Sequence, residues 1–151
     1  MVHFIVTSLD RIVVVDVQGK IRRVIPLPEK ERSIAHIAQS QGHLHYMNLE
    51  VDAEQGGELF IWVLEDYNTE WALKHIVNTV DVFGWKSDAN YCLITIHPEC
   101  NILFFFHEGE LISYNMDRKE VSVIGTYSNS CFNIVPYVPY FTKSPALTNK
   151  S

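Results

Sequence analysis

Cysteine is scarce in this chain and poorly placed for chemistry: Cys92, Cys100 and Cys131 are odd in number and form no CxxC pair. That spacing excludes a zinc ribbon or a dithiol redox centre and predicts reduced thiols that act as small buried hydrophobes. Long apolar runs are lacking too. The longest, Leu59 to Leu64 and Ile102 to Phe106, fall far short of the roughly twenty residues a spanning helix needs, so no transmembrane segment is expected. Basic charge is in deficit, with 12 Lys and Arg against 18 Asp and Glu and a formal net charge of −6. A field of that sign repels phosphate backbones and anionic lipid heads, which sets aside nucleic acid and membranes as partners. G-x-S-x-G, the P-loop, G-x-G-x-x-G and H-E-x-x-H are all missing, so no strong catalytic pattern is present. The start, Met1-Val2-His3-Phe4, has no basic leader and no small-residue cleavage site. It does not read as a signal peptide, and the expected location is cytoplasmic or nuclear.

What is present is a soluble composition with a pattern that returns. In 151 residues, 47% are hydrophobic and 20% charged, enough for one domain with a real core. Residues 11–25 lie without a gap on 111–125, an offset of 100, and a third copy begins at Leu59-Phe60-Ile61-Trp62 and continues at Trp71-Ala72-Leu73-Lys74. Each copy reads apolar strand, polar turn, second strand. A strand unit of this size cannot bury its faces alone and must stack on copies of itself, which points to β-propeller blades. Identical spacing of apolar positions in 11–25 and 111–125 predicts two hairpins of identical register.

Turn formers divide the chain into eleven strand candidates, at 2–7, 11–17, 20–26, 34–40, 43–49, 58–65, 70–77, 90–97, 101–107, 110–116 and 120–127. Gln18-Gly19, Gln41-Gly42, Gln55-Gly56-Gly57 and Glu108-Gly109 supply residues that accept positive φ between them. Grouping by the repeat gives a three-stranded unit at 2–26 that is one strand short, and four-stranded units at 34–77 and 90–127. The fold class expected is therefore all-β: a partial propeller of about three antiparallel blades (3+4+4 strands). Leu59 to Leu64 and Ile102 to Phe106 are apolar at nearly every position, which predicts central strands buried on both faces. No amphipathic helix is long enough to cross over between parallel strands, which excludes α/β. Residues 79–90 read as an irregular loop or a single helical turn.

The run Ile37-Ala38-Gln39-Ser40-Gln41-Gly42-His43-Leu44-His45-Tyr46, then Ile61-Trp62-Val63-Leu64-Glu65-Asp66-Tyr67, Trp71-Ala72-Leu73-Lys74-His75, Ile94-Thr95-Ile96-His97-Pro98-Glu99-Cys100-Asn101 and Leu111-Ile112-Ser113-Tyr114-Asn115-Met116-Asp117 resembles the F-box-associated region of plant F-box proteins. The resemblance covers about residues 1–142; Pro136, Pro139 and Pro145 leave little room for regular structure after Val135, and 143–151 is expected to be a disordered tail. It implies a propeller-like domain that selects the target protein of a cullin-type ubiquitin ligase. Nothing here fits the helical F-box itself: Leu27-Pro28 is followed by Glu29-Lys30-Glu31-Arg32 and then a strand. The chain reads as the C-terminal part of such a protein, an incomplete propeller whose partners are an unidentified target protein and a full-length F-box relative. The alternative reading is a truncated or regulatory fragment with no independent target, which associates with full-length relatives. Open sheet faces at the two ends predict self-association of the isolated chain.

The chemical candidates are weak. His43-x-His45 shares one strand face and could hold a metal with His97 as third ligand, but the spacing is generic. His97-Pro98-Glu99-Cys100 carries a base, an acid and a thiol in four residues, and Pro-Glu reads better as a turn. No catalytic residue, metal or cofactor is expected. Tyr67 and Trp85 stand in loops, where a large ring is hard to explain by packing, and with Lys86 they are the candidate protein-binding residues.

Overall fold

The computed structural model describes residues 2–6, 11–28, 34–52, 56–65, 70–84, 91–127 and 134–137. The described residues are all-β, with eleven strands where eleven are expected. They are β1 (Val2–Val6), β2 (Arg11–Val15), β3 (Ile21–Pro26), β4 (Ile34–Ser40), β5 (His43–Asp52), β6 (Gly56–Leu64), β7 (Trp71–Asn78), β8 (Tyr91–Ile96), β9 (Ile102–His107), β10 (Glu110–Asn115) and β11 (Glu120–Thr126). They pair in chain order into three antiparallel sheets of three, four and four strands, none of them closed. The three sheets are the blades of a partial propeller: β1 lies beside β4, and β4 beside β8. Among the described residues no helix is long and apolar enough to cross a membrane.

Turn chemistry places the strands. Gln41-Gly42 and Glu108-Gly109 both take positive φ at the two central positions, with φ of 53° and 79° in the first pair and 48° and 80° in the second. Those are the dihedrals of a two-residue hairpin whose twist matches the strands it joins. The β5–β6 hairpin runs further than the sequence pattern predicts, with Asp52 paired to Gly56, so the glycines expected in the turn stand in the ladder. Gly57 has no room for a side chain there, because a Cβ would meet the Tyr91 hydroxyl at 2.6 Å. Its amide donates to Thr79 Oγ1 at 2.8 Å. Thr79 opens the one short helix among the described residues, α1 (Thr79–Phe83), whose first turn is capped by Asn78 Oδ1 accepting from the Val80 amide at 3.0 Å. Phe83 then stacks on Tyr91 with ring centroids 4.5 Å apart and closes that end of the core.

Two apolar layers hold the sheets face to face. The larger lies between the second and third sheets, where Met47, Ile61 and Leu59 meet Leu103, Phe105 and Ile112. The smaller lies between the first and second, where Ile12, Val14 and Ile25 meet Leu44 and Leu64. Trp71 ties its edge by donating its indole N–H to the Pro26 carbonyl at 2.8 Å.

Three expectations are corrected. Residues 11–25 and 111–125 do form antiparallel hairpins in two different sheets, but their registers differ. Beside the turns Val15 pairs with Ile21, whereas Asn115 pairs with Glu120; further along, Ile12 pairs with Ile25, whereas Ile112 pairs with Val123. The cause begins in the turns. Asp16 Oδ1 caps the first by accepting from the Gln18 and Lys20 amides, and Asn115 Oδ1 caps the other by accepting from the Asp117 and Arg118 amides. In the 100-residue alignment the second cap sits one position earlier. Leu59–Leu64 and Ile102–Phe106 are interior strands, yet only one face of each is covered along its whole length. Leu59, Ile61, Leu103 and Phe105 are buried, while Phe60, Trp62 and Phe104 are half-buried. Finally, Cys92 is disulfide-bonded and only Cys100, among the described residues, is free, so the expectation of three reduced thiols fails. The boundary at 142 and the tail at 143–151 lie outside the described residues.

Truncation should separate the two faces of one strand. Phe105→Ala should cost about 3–5 kcal/mol and Ile61→Ala about 2–5 kcal/mol, because each empties the sealed layer between sheets. Phe104→Ala should cost clearly less than Phe105→Ala. Urea denaturation of the three variants measures the difference, and equal losses at 104 and 105 would mean that both faces of β9 are sealed.

Candidate functional site

The face that the second sheet turns toward the first is only partly covered. The three-stranded sheet seals the end near Leu44 and Leu64 and leaves the hairpin of β6 and β7 open further along. There Trp62 pairs with Leu73 and Phe60 with Ile76 across the two strands, so all four side chains share this face. Leu73 is 43% and Ile76 55% exposed, large values for aliphatic side chains inside a ladder. Trp62 is half-buried, with its indole nitrogen turned inward, buried and without a hydrogen-bond partner among the described residues. The result is an apolar ledge on a hairpin whose other face is fixed in the main core through Ile61 and Val77.

A polar brace locks the second and third sheets where the β4–β5, β8–β9 and β10–β11 turns gather. Asn101 is its centre. Its Oδ1 accepts from Gln41 Nε2 at 2.8 Å and from Lys74 Nζ at 3.0 Å, and its Nδ2 donates to Asp117 Oδ1 at 3.2 Å. Two bonds to backbone carbonyls run alongside: the Gln41 amide donates to the Pro98 carbonyl at 2.7 Å, and the Ser40 hydroxyl donates to the His97 carbonyl at 2.7 Å. His45 is fully buried in this brace. Its Nε2 lies 3.4 Å from the Lys74 ammonium, which can only donate, so Nε2 accepts and Nδ1 carries the proton toward the His43 carbonyl at 3.0 Å. Burial pushes the His45 pKa down and Lys74 adds to the effect, against an opposing raise from the His43 carbonyl. His75 is lowered as well, by burial first and then Lys74, with Asp117 opposing.

The histidines singled out from sequence do not converge. His43 is exposed and turns Nδ1 to the Gln41 carbonyl, and His97 Nδ1 accepts from the Glu99 amide at 3.0 Å within the turn. Among the described residues, no three His, Cys, Asp or Glu side chains come together as ion ligands. The inner strands β4 and β8 border a cleft of about 640 Å³, lined chiefly by Ile37, Leu93, Ile94 and Val135, with His36 and Thr95 among its few polar groups. Burial lowers the His36 pKa. A neutral histidine among aliphatic walls is poorly placed for acid–base work.

Of the residues singled out for protein binding, Tyr67, Trp85 and Lys86 lie outside the described residues. In sequence, Tyr67 falls between β6 and β7, and Trp85 and Lys86 fall between α1 and β8. Sequence reasoning missed Leu73 and Ile76, which read as strand interior. The available signal was Trp71-Ala72-Leu73-Lys74-His75-Ile76, in which apolar residues do not alternate cleanly, as befits an edge strand with a bulge opposite Ile61 and Trp62.

The lowered histidines set a pH dependence. Each folded-state pKa lies below the ordinary value of 6.5, so above that pH both folded and unfolded chains hold neutral rings and nothing is lost. As pH falls through 6.5 the unfolded chain takes up protons first, and stability declines. The melting temperature should drop between about pH 7.5 and 5.5, and His45→Gln should flatten that slope. Comparison of the sequence with models of protein families and with curated proteins, and of the fold with solved structures, gave no match.

Proposed function

We propose that the chain is a non-catalytic protein-interaction domain, working as the substrate-recognition region of an F-box ubiquitin-ligase subunit works, with the β6–β7 hairpin as its contact surface. The observation that carries this reading is the ledge of Trp62, Leu73 and Ile76: exposed apolar area beside a half-buried tryptophan. Tryptophan in a half-covered setting is a residue type enriched among the anchors of protein interfaces, because it offers large apolar area at small entropic cost. The brace around Asn101 supports the reading by holding the platform rigid, so that little ordering is needed on binding. The resemblance of residues 1–142 to the F-box-associated region supports the same class of partner, a folded target protein. Tyr67 belongs, in sequence, to the connection between these two strands.

The test is capture of a target by the immobilised chain, compared between wild type and Ile76→Asp. Position 76 is already exposed, so the charge should leave the circular dichroism and melting temperature unchanged while target retention falls about tenfold, the loss of one good apolar anchor. Retention equal to wild type would remove the hairpin from the proposal.

A further inference from the structure

Across β8, β9 and β10, Cys92 pairs with Phe106, Phe106 with Leu111, and Phe104 with Ser113, so these side chains share the face of the third sheet turned away from the second. Cys92 is disulfide-bonded. Of the three cysteines in the chain Cys100 is free, which leaves Cys131, outside the described residues, as the partner. Shortly after it in sequence, residues 134–137 lie against this same face. They border a cleft of about 640 Å³ together with Cys92 and Ile94, and one of about 380 Å³ together with Phe104 and Leu111. We propose that the disulfide from Cys92 to Cys131 fastens residues 134–137 as a strap across the third sheet, and that a thiol reductant releases the strap and uncovers the apolar side chains beneath it.

Non-covalent contacts hold the strap weakly. Val135 is 80% and Tyr137 86% exposed, and Ile134 is only half-buried. Pro136 has no amide proton to donate, and no hydrogen bond joins 134–137 to the sheet among the described residues. The two clefts that the segment borders show that it does not fill the space above the strands at the density of a packed interior. A covalent link supplies the missing grip, because joining position 131 to β8 holds the strap over the face at a high effective concentration. The sheet itself does not depend on that link. Leu103, Phe105 and Ile112 are sealed against the second sheet on the opposite face, and the Tyr127 amide still pins the end of β11 by donating to the Gly109 carbonyl at 2.6 Å. Opening the disulfide is therefore a local event.

Access and chemistry agree with this. Cys92 is half-buried in the wall of the larger cleft, so a small thiol can approach it. A thiolate of the reductant attacks one sulfur of the pair, the S–S bond breaks, and the other cysteine leaves as a thiolate and takes up a proton. A second thiolate of the reductant then displaces the mixed disulfide. One protein disulfide and one dithiol, or two monothiols, give two protein thiols and one reductant disulfide, with two electrons passing to the protein. The reverse exchange with the oxidised reductant fastens the strap again.

The test uses the full chain with isotope-labelled methyl groups and a soluble nitroxide, which broadens the signals of the methyls it reaches. Denatured without reductant the chain should give one free thiol, and after dithiothreitol three. In the folded chain, dithiothreitol should raise the broadening of the Ile94 and Leu111 methyls severalfold and leave Ile61 and Leu103, in the sealed layer, unchanged. Cys92→Ser should show the opened pattern with and without dithiothreitol, whereas Cys100→Ser should still switch. Three free thiols before reduction, unchanged broadening at Ile94 and Leu111, an equal rise at Ile61 and Leu103, or loss of switching in Cys100→Ser would overturn the strap. Ile76 belongs to the second sheet, so target capture by Ile76→Asp reports on the proposed function alone.

Discussion

The apolar layer between the second and third sheets is the interaction on which the rest of this structure depends. Met47, Ile61, Leu103 and Phe105 are all at or below 1% exposure, and each belongs to an interior strand, so the layer forms only when both four-stranded sheets are complete and in register. At roughly 25 cal/mol per Å² of apolar surface removed from water, side chains of this size contribute about 1.5–3 kcal/mol each. The first sheet has no comparable layer of its own among the described residues. It adheres through Ile12, Val14 and Ile25, and through the Trp71 bond to Pro26 at its rim.

The proposed reading of recognition rests on the surfaces that this layer leaves uncovered. At the layer's edge Lys74 and Asp117 both bond Asn101, and burial beside the Lys74 ammonium lowers the His45 pKa. Leu73, Ile76, Ile21 and Val24 are large apolar side chains left exposed on strands of the first and second sheets. Surfaces of that kind bind other proteins. The ledge on β6 and β7 and the outward face of the first sheet are two instances of one geometric fact, that a narrower sheet and an open array leave strand faces uncovered.

Strand existence was legible in the chain because hairpin chemistry is local. Gln41-Gly42 and Glu108-Gly109 fix their turns through backbone dihedrals that need no tertiary contact, and the strands on either side follow. Register was not legible, since it turned on whether the cap is Asp16 or Asn115, a difference hidden inside a gapless alignment. Nor was the burial of Trp62 or Phe104: an all-apolar run says that a strand is interior to its sheet, but the reach of the neighbouring sheet decides whether the second face is sealed. Of the site, the β6–β7 hairpin was singled out only through Tyr67, and Leu73 and Ile76 were passed over because exposure at an edge leaves no mark on residue type. The pairing of Cys92 was missed because spacing alone cannot report which thiols meet in space.

The difference in register between the two hairpins is the point on which the blade geometry turns, and it can be read directly. Cross-strand Hα and amide nuclear Overhauser contacts in the isotope-labelled chain should place Ile12 opposite Ile25 and Ile112 opposite Val123. If Ile112 were instead found opposite Gly125, as Ile12 stands opposite Ile25, the two hairpins would be in identical register and the account of how the sheets face one another would be wrong.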